Sequence, residues 1–597
     1  MSDRQRHDES TVLGPMAGFV DLHVDFAGGS TPPIARGGLV WNPVVDTPST
    51  VWLAFGDRAR WETQEAAAPG ARLWWLGGTH RGSDNARRLL EQIMATDAAG
   101  ASGAPKVAVS GTVVAVDSQR GKTHVITDRF GTGHVYLREA RAGRPGSLGT
   151  FARAVAAGGD GTWDWEGITG FCALGFFPGN RTWWTDVRIV RPATWLVLDL
   201  DGAVVSERRW WTWCYEPVER EMGALVEEID GVLSDVLRDE VRGRRVVVPL
   251  SGGLDSRTVA AVLGPGSAAR AAASEVQGLT YGYGDRSVET RIGMAVGGAS
   301  GIPTRSMRVG PYLLDRVAEV VAATEGFQAP SFARQAGVAA ELAEMGDAVV
   351  GGHWGDVWFD TAGGSGGATD LVGVAMSKFH KRGGEWLLRH VCAQAIEGDP
   401  AERVRAMIAD ELDLIPDLGD DDMRLKALKT DQWSFRWTLA SMRAYRLAVP
   451  TLLPFYDDRL ADLMLRIPSG MHRGRSLQVE LLTRRHPDVA RVRWQATGRD
   501  LFAPEPPALV RTARGALRRA GRLVTRTPVI ERNWEVQLRP FPDRLREALT
   551  PAVSVGLVTA ADLDDLLARL KGLVDPSAGY AVDTLLAMAQ VAEVGFR

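Results

Sequence analysis

The stretch RRVVVPLSGGLDSRTVAAVLG, residues 244–264, decides how the second part of this chain folds. Arg245–Leu250 is a β-branched run and reads as a buried strand. Ser251–Asp255 is rich in turn formers, and Ser256–Leu263 reads as a helix. Gly252 and Gly253 have no Cβ, so the backbone of the turn can approach an anion closely. The turn feeds a helix N-terminus, whose free N–H groups and dipole favour phosphate. Ser251 and Ser256 add hydroxyl donors. An acidic Asp255 makes sense in such a site if it holds Mg²⁺ against the phosphates. The lysine of a Walker A loop is missing, which counts against a kinase or GTPase. The bland alternative is a glycine-rich turn with no function. Ser, Gly, Gly, Asp and Ser together after a buried strand weigh against it.

Working outward, Val276–Gly282 reads as a second strand, Val288–Gly298 as a helix and Asp347–Gly352 as a third strand. Strands alternating with helices predict an α/β doubly wound parallel sheet. Residues 384–520 read as mostly helical. Residues 363–367 (GGSGG) read as a loop beside the third strand, and the basic run 511–526 reads as a solvated helix face, with an anion contact as the lesser alternative. Upstream, Gly18–Val24, Val51–Phe55, Lys106–Val116, Thr123–Thr127 and Trp195–Leu200 are short apolar runs between turn signals, which predict stacked sheets in an α+β part. An amphipathic helical pattern over 216–240 marks the boundary. Two domains are therefore expected, 1–215 and 216–597.

The 597 residues carry 69 Lys+Arg and 73 Asp+Glu, a net charge of −4. This near balance excludes a generally nucleic-acid-binding surface. Charged residues are 24% and hydrophobic residues 45%, the composition of a soluble globular protein. Cys172, Cys214 and Cys392 form no CxxC pair and predict a reducing, cytoplasmic setting. The polar start MSDRQRHDES is not a signal peptide, and no apolar run is long enough to span a membrane. Thirteen of the 20 tryptophans fall in the first 215 residues. They suggest either a β-rich core or, less well supported, a glycan-binding surface.

With these segments in hand, SGGLDS resembles the pyrophosphate loop of ATP-pyrophosphatase enzymes, and the chain resembles the asparagine synthetase family over most of its length. Thr127–Gly131 (TDRFG) and Phe176–Trp211 resemble segments of that family's N-terminal class II glutaminase domain. Residues 279–301 resemble its second strand and helix, VVGGHWGDVWFD its Ser-Gly-Glu-Gly-Ser-Asp-Glu segment, and VPTLLPFYDDRLADLMLRIP its Val-Pro-Phe-Leu-Asp segment, which shapes a wall of the site. The resemblance implies an Ntn-like stacked-sheet domain followed by an adenine nucleotide α-hydrolase-like domain with a helical C-terminal part. It implies ATP held at Leu250, Ser251, Gly252, Gly253, Asp255 and Ser256, with Tyr281 near the adenine and Gly351 and Gly352 bordering the nucleotide. It also implies Mg²⁺ held by Asp255 and Asp356.

The chain departs from the family in three places. The glutaminase nucleophile is a cysteine exposed by removal of Met, with its α-amino group as base. Residue 2 here is Ser2, and a start at Met16 would expose Ala17. Glutamine hydrolysis is therefore not expected, and the N-terminal part is expected to be architectural. In GGHWGDV, His353 stands where the family has glutamate, Trp354 where it has glycine, and Val357 where its last acid lies. A histidine titrating near neutrality would be a base for an amine, or would merely pack. The family's charge-stabilising lysine lies on a late loop that here reads RVRWQATGRD, where Arg499 is the candidate. Lys378, Lys381, Lys426 and Lys429 are unranked alternatives.

The expected activity is an ATP-dependent amide-forming ligase that adenylates a small-molecule or peptide carboxylate and couples it to ammonia or an amine donor. His353, Asp356 and Arg499 are its candidate catalytic residues. Within the family, amidation of sugar acids, lasso-peptide or β-lactam cyclisation and aspartate amidation are the branches considered. The LSGGLDSR form and the TYG strand lean toward the first, and aspartate amidation fits this site least. A catalytically inactive nucleotide-binding partner is the alternative of another class. No nucleic acid or membrane partner is expected, and a homodimer is left open.

Overall fold

Alternation with a period of two builds the first part of the chain. In the strand Thr112–Asp117, Val114 and Val116 face one apolar cluster while Val113 and Ala115 face another. This strand is central in a six-stranded antiparallel sheet ordered Val204–Arg209, Thr194–Leu198, Lys122–Thr127, Thr112–Asp117, Ala71–Leu76, Thr63–Ala68. One face of that sheet is covered by the helix Ser83–Ala95 through Leu89, Leu90 and Ile93. Its other face packs on a second six-stranded antiparallel sheet ordered Arg188–Ile189, Tyr136–Arg138, Ser147–Gly149, Val20–Asp25, Ser49–Phe55, Trp41–Thr47. Leu22, Val24, Leu53, Trp74, Leu137 and Leu196 meet between them. Each fully buried Leu or Val here stabilises by about 1.5–3 kcal/mol relative to exposure. Trp74, Trp75, Trp183, Trp195 and Trp213 are among the largest fully buried side chains, so these rings are core rather than a glycan-binding face.

The computed structural model describes residues 16–595 except 27, 29–31, 48, 78–82, 97–102, 142, 285–286, 364–369, 504–532 and 573–575. Ser2, the loop 364–367 and the basic run 511–526 lie outside the described residues.

The quoted stretch forms the strand Arg245–Pro249 and the helix Asp255–Val262. Parallel pairing continues through a five-stranded sheet ordered Thr304–Arg308, Glu275–Gly282, Arg245–Pro249, Ala348–Val350, Thr451–Leu452. The chain is thus mixed α/β, with antiparallel sheets first, a parallel sheet later and a helical C-terminus. Some boundaries differ from expectation. The amphipathic helix runs over Met222–Val241, because Glu216 and Val218 instead donate their backbone N–H groups to Leu465 and Arg466 carbonyls. The region expected to be helical contributes the fifth strand, Thr451–Leu452. It also contains a π-helix over Thr430–Thr438. Among the described residues, no helix is long and apolar enough to cross a membrane.

The last helix, Pro576–Gly595, is docked by a buried carboxyl. Asp583 accepts from the Ser331 backbone N–H at 3.0 Å and from its hydroxyl at 2.5 Å. Burial pushes its pKa up to about 7. The unfolded chain ionises this group near its ordinary value, so between about pH 4 and pH 7 the folded chain holds the extra proton. Stability contributed by this site therefore falls as pH rises through that window, at about 1.4 kcal/mol per unit. Asp583→Asn is expected to flatten the decline and to be relatively more stable at pH 8. Urea unfolding midpoints between pH 5 and 8 check this, and parallel curves for the two proteins would contradict it.

Candidate active site

In this sheet the chain leaves the strand Arg245–Pro249 toward Glu275–Gly282 on one side and reaches Ala348–Val350 on the other. Such a switch of direction opens a crevice outside the carboxyl ends of the strands. A cavity of about 510 Å³ lies there. Its lining includes Leu250, Ser251, Gly253, Asp255, Ser256, Tyr281, Gly352, His353 and Asp356. Eight residues long, the helix Asp255–Val262 begins after Leu254, which offers no side-chain cap. Its first N–H groups thus have no side-chain acceptor from the cap residue, which leaves them the donors that helix starts offer to anions. Ser251 Oγ lies 3.1 Å from Ser256 Oγ, and Ser251 N donates to that same hydroxyl at 3.1 Å.

Glycines let a second loop close onto this turn. A Cβ on Gly352 would fall 2.7 Å from Ser256 N and 2.9 Å from Ser256 Cα, both backbone atoms. Gly252 is not in the lining. A Cβ there would meet Gln495 Oε1 at 2.1 Å, and its carbonyl accepts from Gln495 N at 3.1 Å. The late loop thus touches the turn through Gln495. Arg257, 0% exposed, fixes that loop by donating to the Val492 and Arg493 carbonyls at 2.7 and 2.9 Å.

Asp255 accepts at Oδ1 from Arg475 Nη1 (3.2 Å) and Gln478 Nε2 (3.1 Å). Burial pushes its pKa up to about 6, with Asp356 adding to the rise and Arg475 opposing it. Among the described residues no group of three or more His, Cys, Asp or Glu could hold a metal by itself. Two carboxylates suffice when a cation takes its other ligands from phosphates and water. His353 differs from the expectation of a base near neutrality. Burial lowers its pKa to about 4, because the charged imidazolium is desolvated, with Arg334 adding and Asp356 opposing.

The positive charge also differs in origin. Arg499 does not line the cavity, and its carbonyl accepts from Trp494 N at 2.7 Å. Lys429, Arg334 and Arg475 do line it. Lys429 Nζ lies 4.0 Å from Asp356 Oδ2. Burial pulls the Lys429 pKa below its ordinary value, opposed by Asp356. Of the other lysines, Lys426 sits buried 4.0 Å from Asp422 Oδ2 and Lys381 lies over the Trp433 ring. Tyr281 pairs its hydroxyl with Tyr445 at 3.0 Å and lies under Arg334 at 5.5 Å.

Spacing gives no sign of Arg334, Arg475 or Tyr445, which come from remote helices and turns, and it leaves Lys429 unranked among four lysines. One local signal was legible. Trp354 stands at a position that adopts φ +78°, where glycine is favoured and a bulky residue is an outlier.

A smaller cavity of about 160 Å³ lies between the sheets and the helical part, next to Asp128 and His134. Asp128 of TDRFG closes its own turn, accepting from Gly111 N (2.6 Å), Thr132 N (2.9 Å) and Phe130 N (3.1 Å). No protein-family model matches the chain, and no curated protein matches it.

Proposed function

We propose that this chain is an ATP-dependent amide-forming ligase that adenylates a carboxylate, releases pyrophosphate and couples the activated acid to ammonia or an amine. The observation that carries the reading is the uncapped helix start behind Ser251–Ser256, with Gly352 packed onto it and two carboxylates beside it. These residues fit a nucleotide phosphate, because Gly352 lets the second loop close onto the helix start and Ser251, Gly253 and Ser256 bring their donors together there. Ser251, Gly253 and Ser256 would hold the phosphates of ATP, Tyr281 would lie toward the base, and Asp255 and Asp356 would hold Mg²⁺. ATP with Mg²⁺ would supply the leaving group and offset the charge that develops as it departs. Lys429 and Arg475 supply fixed positive charge near the carboxylates. His353, neutral at pH 7 with its depressed pKa, orients a nitrogen nucleophile by a hydrogen bond rather than by taking up a proton.

In this reading residues 1–215 are a glutaminase-like Ntn domain kept as scaffold, residues 216–597 are the nucleotide α-hydrolase-like domain, and the setting is cytoplasmic. Cys172 and Cys392 are buried and Cys214 lies at the surface beside Glu216, so none resembles a chain-terminal thiol with an α-amino base. A nucleotide-binding partner without catalysis is the second reading, favoured by the weak basicity of His353.

The experiment is pyrophosphate release from ATP and Mg²⁺ on adding carboxylic acids with ammonia, alongside ammonia release from glutamine. Release with at least one acid and none from glutamine is the expected result. Retained ATP binding without release for any acid would favour the inactive partner, and glutamine hydrolysis would overturn the scaffold role.

A further inference from the structure

We propose that the acid activated at this site is an aromatic carboxylic acid, its ring against Trp433 and Trp437 and its carboxylate turned toward Lys429. This rests on the ligase reading and names its substrate class.

Lys429, Trp433 and Trp437 recur every four residues along one helical run, and all three line the cavity. Thr430–Thr438 is π-helical for nine residues. Such turns are rare and concentrate at functional sites. The two indoles meet edge to face at 5.8 Å and 78°. Phe379 packs on Trp433 and Phe332 on Trp437, each with ring centroids 5.6 Å apart. Both indoles are thus held rigidly, yet neither is fully buried. Their remaining apolar area lies in a concave site, the setting in which a ligand ring gains most.

This wall adjoins the proposed reacting centre. Lys429 Nζ lies 4.0 Å from Asp356 Oδ2, 5.7 Å from the Trp354 ring and 5.8 Å from the Trp433 ring. A carboxylate paired with Lys429 therefore leaves its organic part among indoles. Trp354 supplies an independent pointer to a ligand. It is 4% exposed, lines the cavity and has an Nε1 with no hydrogen-bond partner among the described residues. Buried donors of this kind are normally satisfied. Its left-handed backbone persists only where packing over-determines it. A small polar acid would leave the indole faces wet, whereas an aromatic acid covers them.

The test measures binding to the full chain by calorimetry, using phenylacetate and indole-3-acetate against aspartate and glucuronate, with and without MgATP. The aromatic acids are expected to bind at least about tenfold more tightly than aspartate. Trp433→Ala and Trp437→Ala are each expected to weaken them about tenfold, with Trp→Phe restoring most of the loss and MgATP affinity unchanged. Equal or tighter binding of aspartate or glucuronate would overturn the proposal. So would loss of MgATP affinity in the alanine variants with acid binding intact, because the indoles would then stack on the base. The titrations without MgATP read binding without turnover, so aromatic preference there without pyrophosphate release when MgATP is added would support this site while sinking the ligase reading.

Discussion

Asp255→Ala is expected to abolish acid-dependent pyrophosphate release, with a loss of about a thousandfold or more. The carboxylate is half-buried at the first turn of the helix that follows the loop proposed to bind phosphate, and only one other acid, Asp356, is proposed to share its cation. With two protein ligands, removing one leaves the cation held mainly by substrate. Asp255→Asn separates charge from shape. It keeps an acceptor for Arg475 and Gln478, which donate to Oδ1 at 3.2 and 3.1 Å, yet removes the negative charge. Both variants should fold, because Arg475 retains Asp360 at 3.8 Å. The wild type should show a related pH limb. A carboxyl with its pKa pushed up to about 6 takes up a proton as pH falls through that value and releases its hold on Mg²⁺. Activity should therefore fall below about pH 6, and higher Mg²⁺ should move that limb to lower pH by competing with the proton. Pyrophosphate release measured against pH at two Mg²⁺ concentrations checks the limb. Undiminished release by Asp255→Ala would sink the assignment of this loop.

How much of this was legible depended on whether the signal was local. The strand and helix at 245–262 were readable because β-branched burial, a glycine turn and a helix start all agree within twenty residues. The strand Thr304–Arg308 was not, because it is an edge strand with polar, largely unburied residues and so lacks an apolar pattern. Thr451–Leu452 pairs through only two residues, too few to carry a period. The site divides in the same way. Ser251 and Gly352 lie on loops that follow strands, and Ser256 and Asp356 open the helices those loops feed, so residue type and place in the motif coincide. Lys429 and Arg475 are brought in by tertiary packing, and the reading of the late loop settled on Arg499 because sequence order cannot say which loop closes on which. His353 shows the limit for chemistry, since its residue type suggested a neutral pKa and burial, invisible in sequence, moved it to about 4.

Glu325→Ala is expected to cost about 3–5 kcal/mol, the largest stability loss predicted for a single side chain here. Glu325 ends the helix Leu313–Thr324 with φ +58°, and its carboxylate is 2% exposed. It accepts from Tyr136 Oη and from Ala152 N, each at 2.7 Å, and from Arg443 Nη1. Arg36 Nη2 lies 3.6 Å away, while the same guanidinium grips Asp21 at 2.8 and 3.0 Å. One carboxylate thus joins the antiparallel sheet, the helix Ala152–Ala156, the turn Arg443–Leu447 and the segment carrying Arg36. Without it, Arg443 remains a buried cation facing Tyr136 and His134. His134 cannot substitute for a carboxylate. Burial and the neighbouring Arg443 hold its pKa well below the ordinary value, so the ring is neutral. Its Nδ1 accepts from Arg443 Nη2 at 2.8 Å, leaving Nε2–H to donate to the Phe435 carbonyl at 2.8 Å. The loss comes from stranding a charge in low dielectric, not from the small net worth of a salt bridge. Glu325→Gln keeps one acceptor, for the Ala152 N–H, and turns an NH2 donor toward the Tyr136 hydroxyl, which can accept from it, so it should cost less than alanine. Glu139→Ala, which removes an exposed partner of Arg188, should cost less than about 1 kcal/mol. Urea unfolding of the three variants orders them, and an effect of Glu325→Ala no larger than that of Glu139→Ala would mean that the network contributes little to joining the sheets to the helical part.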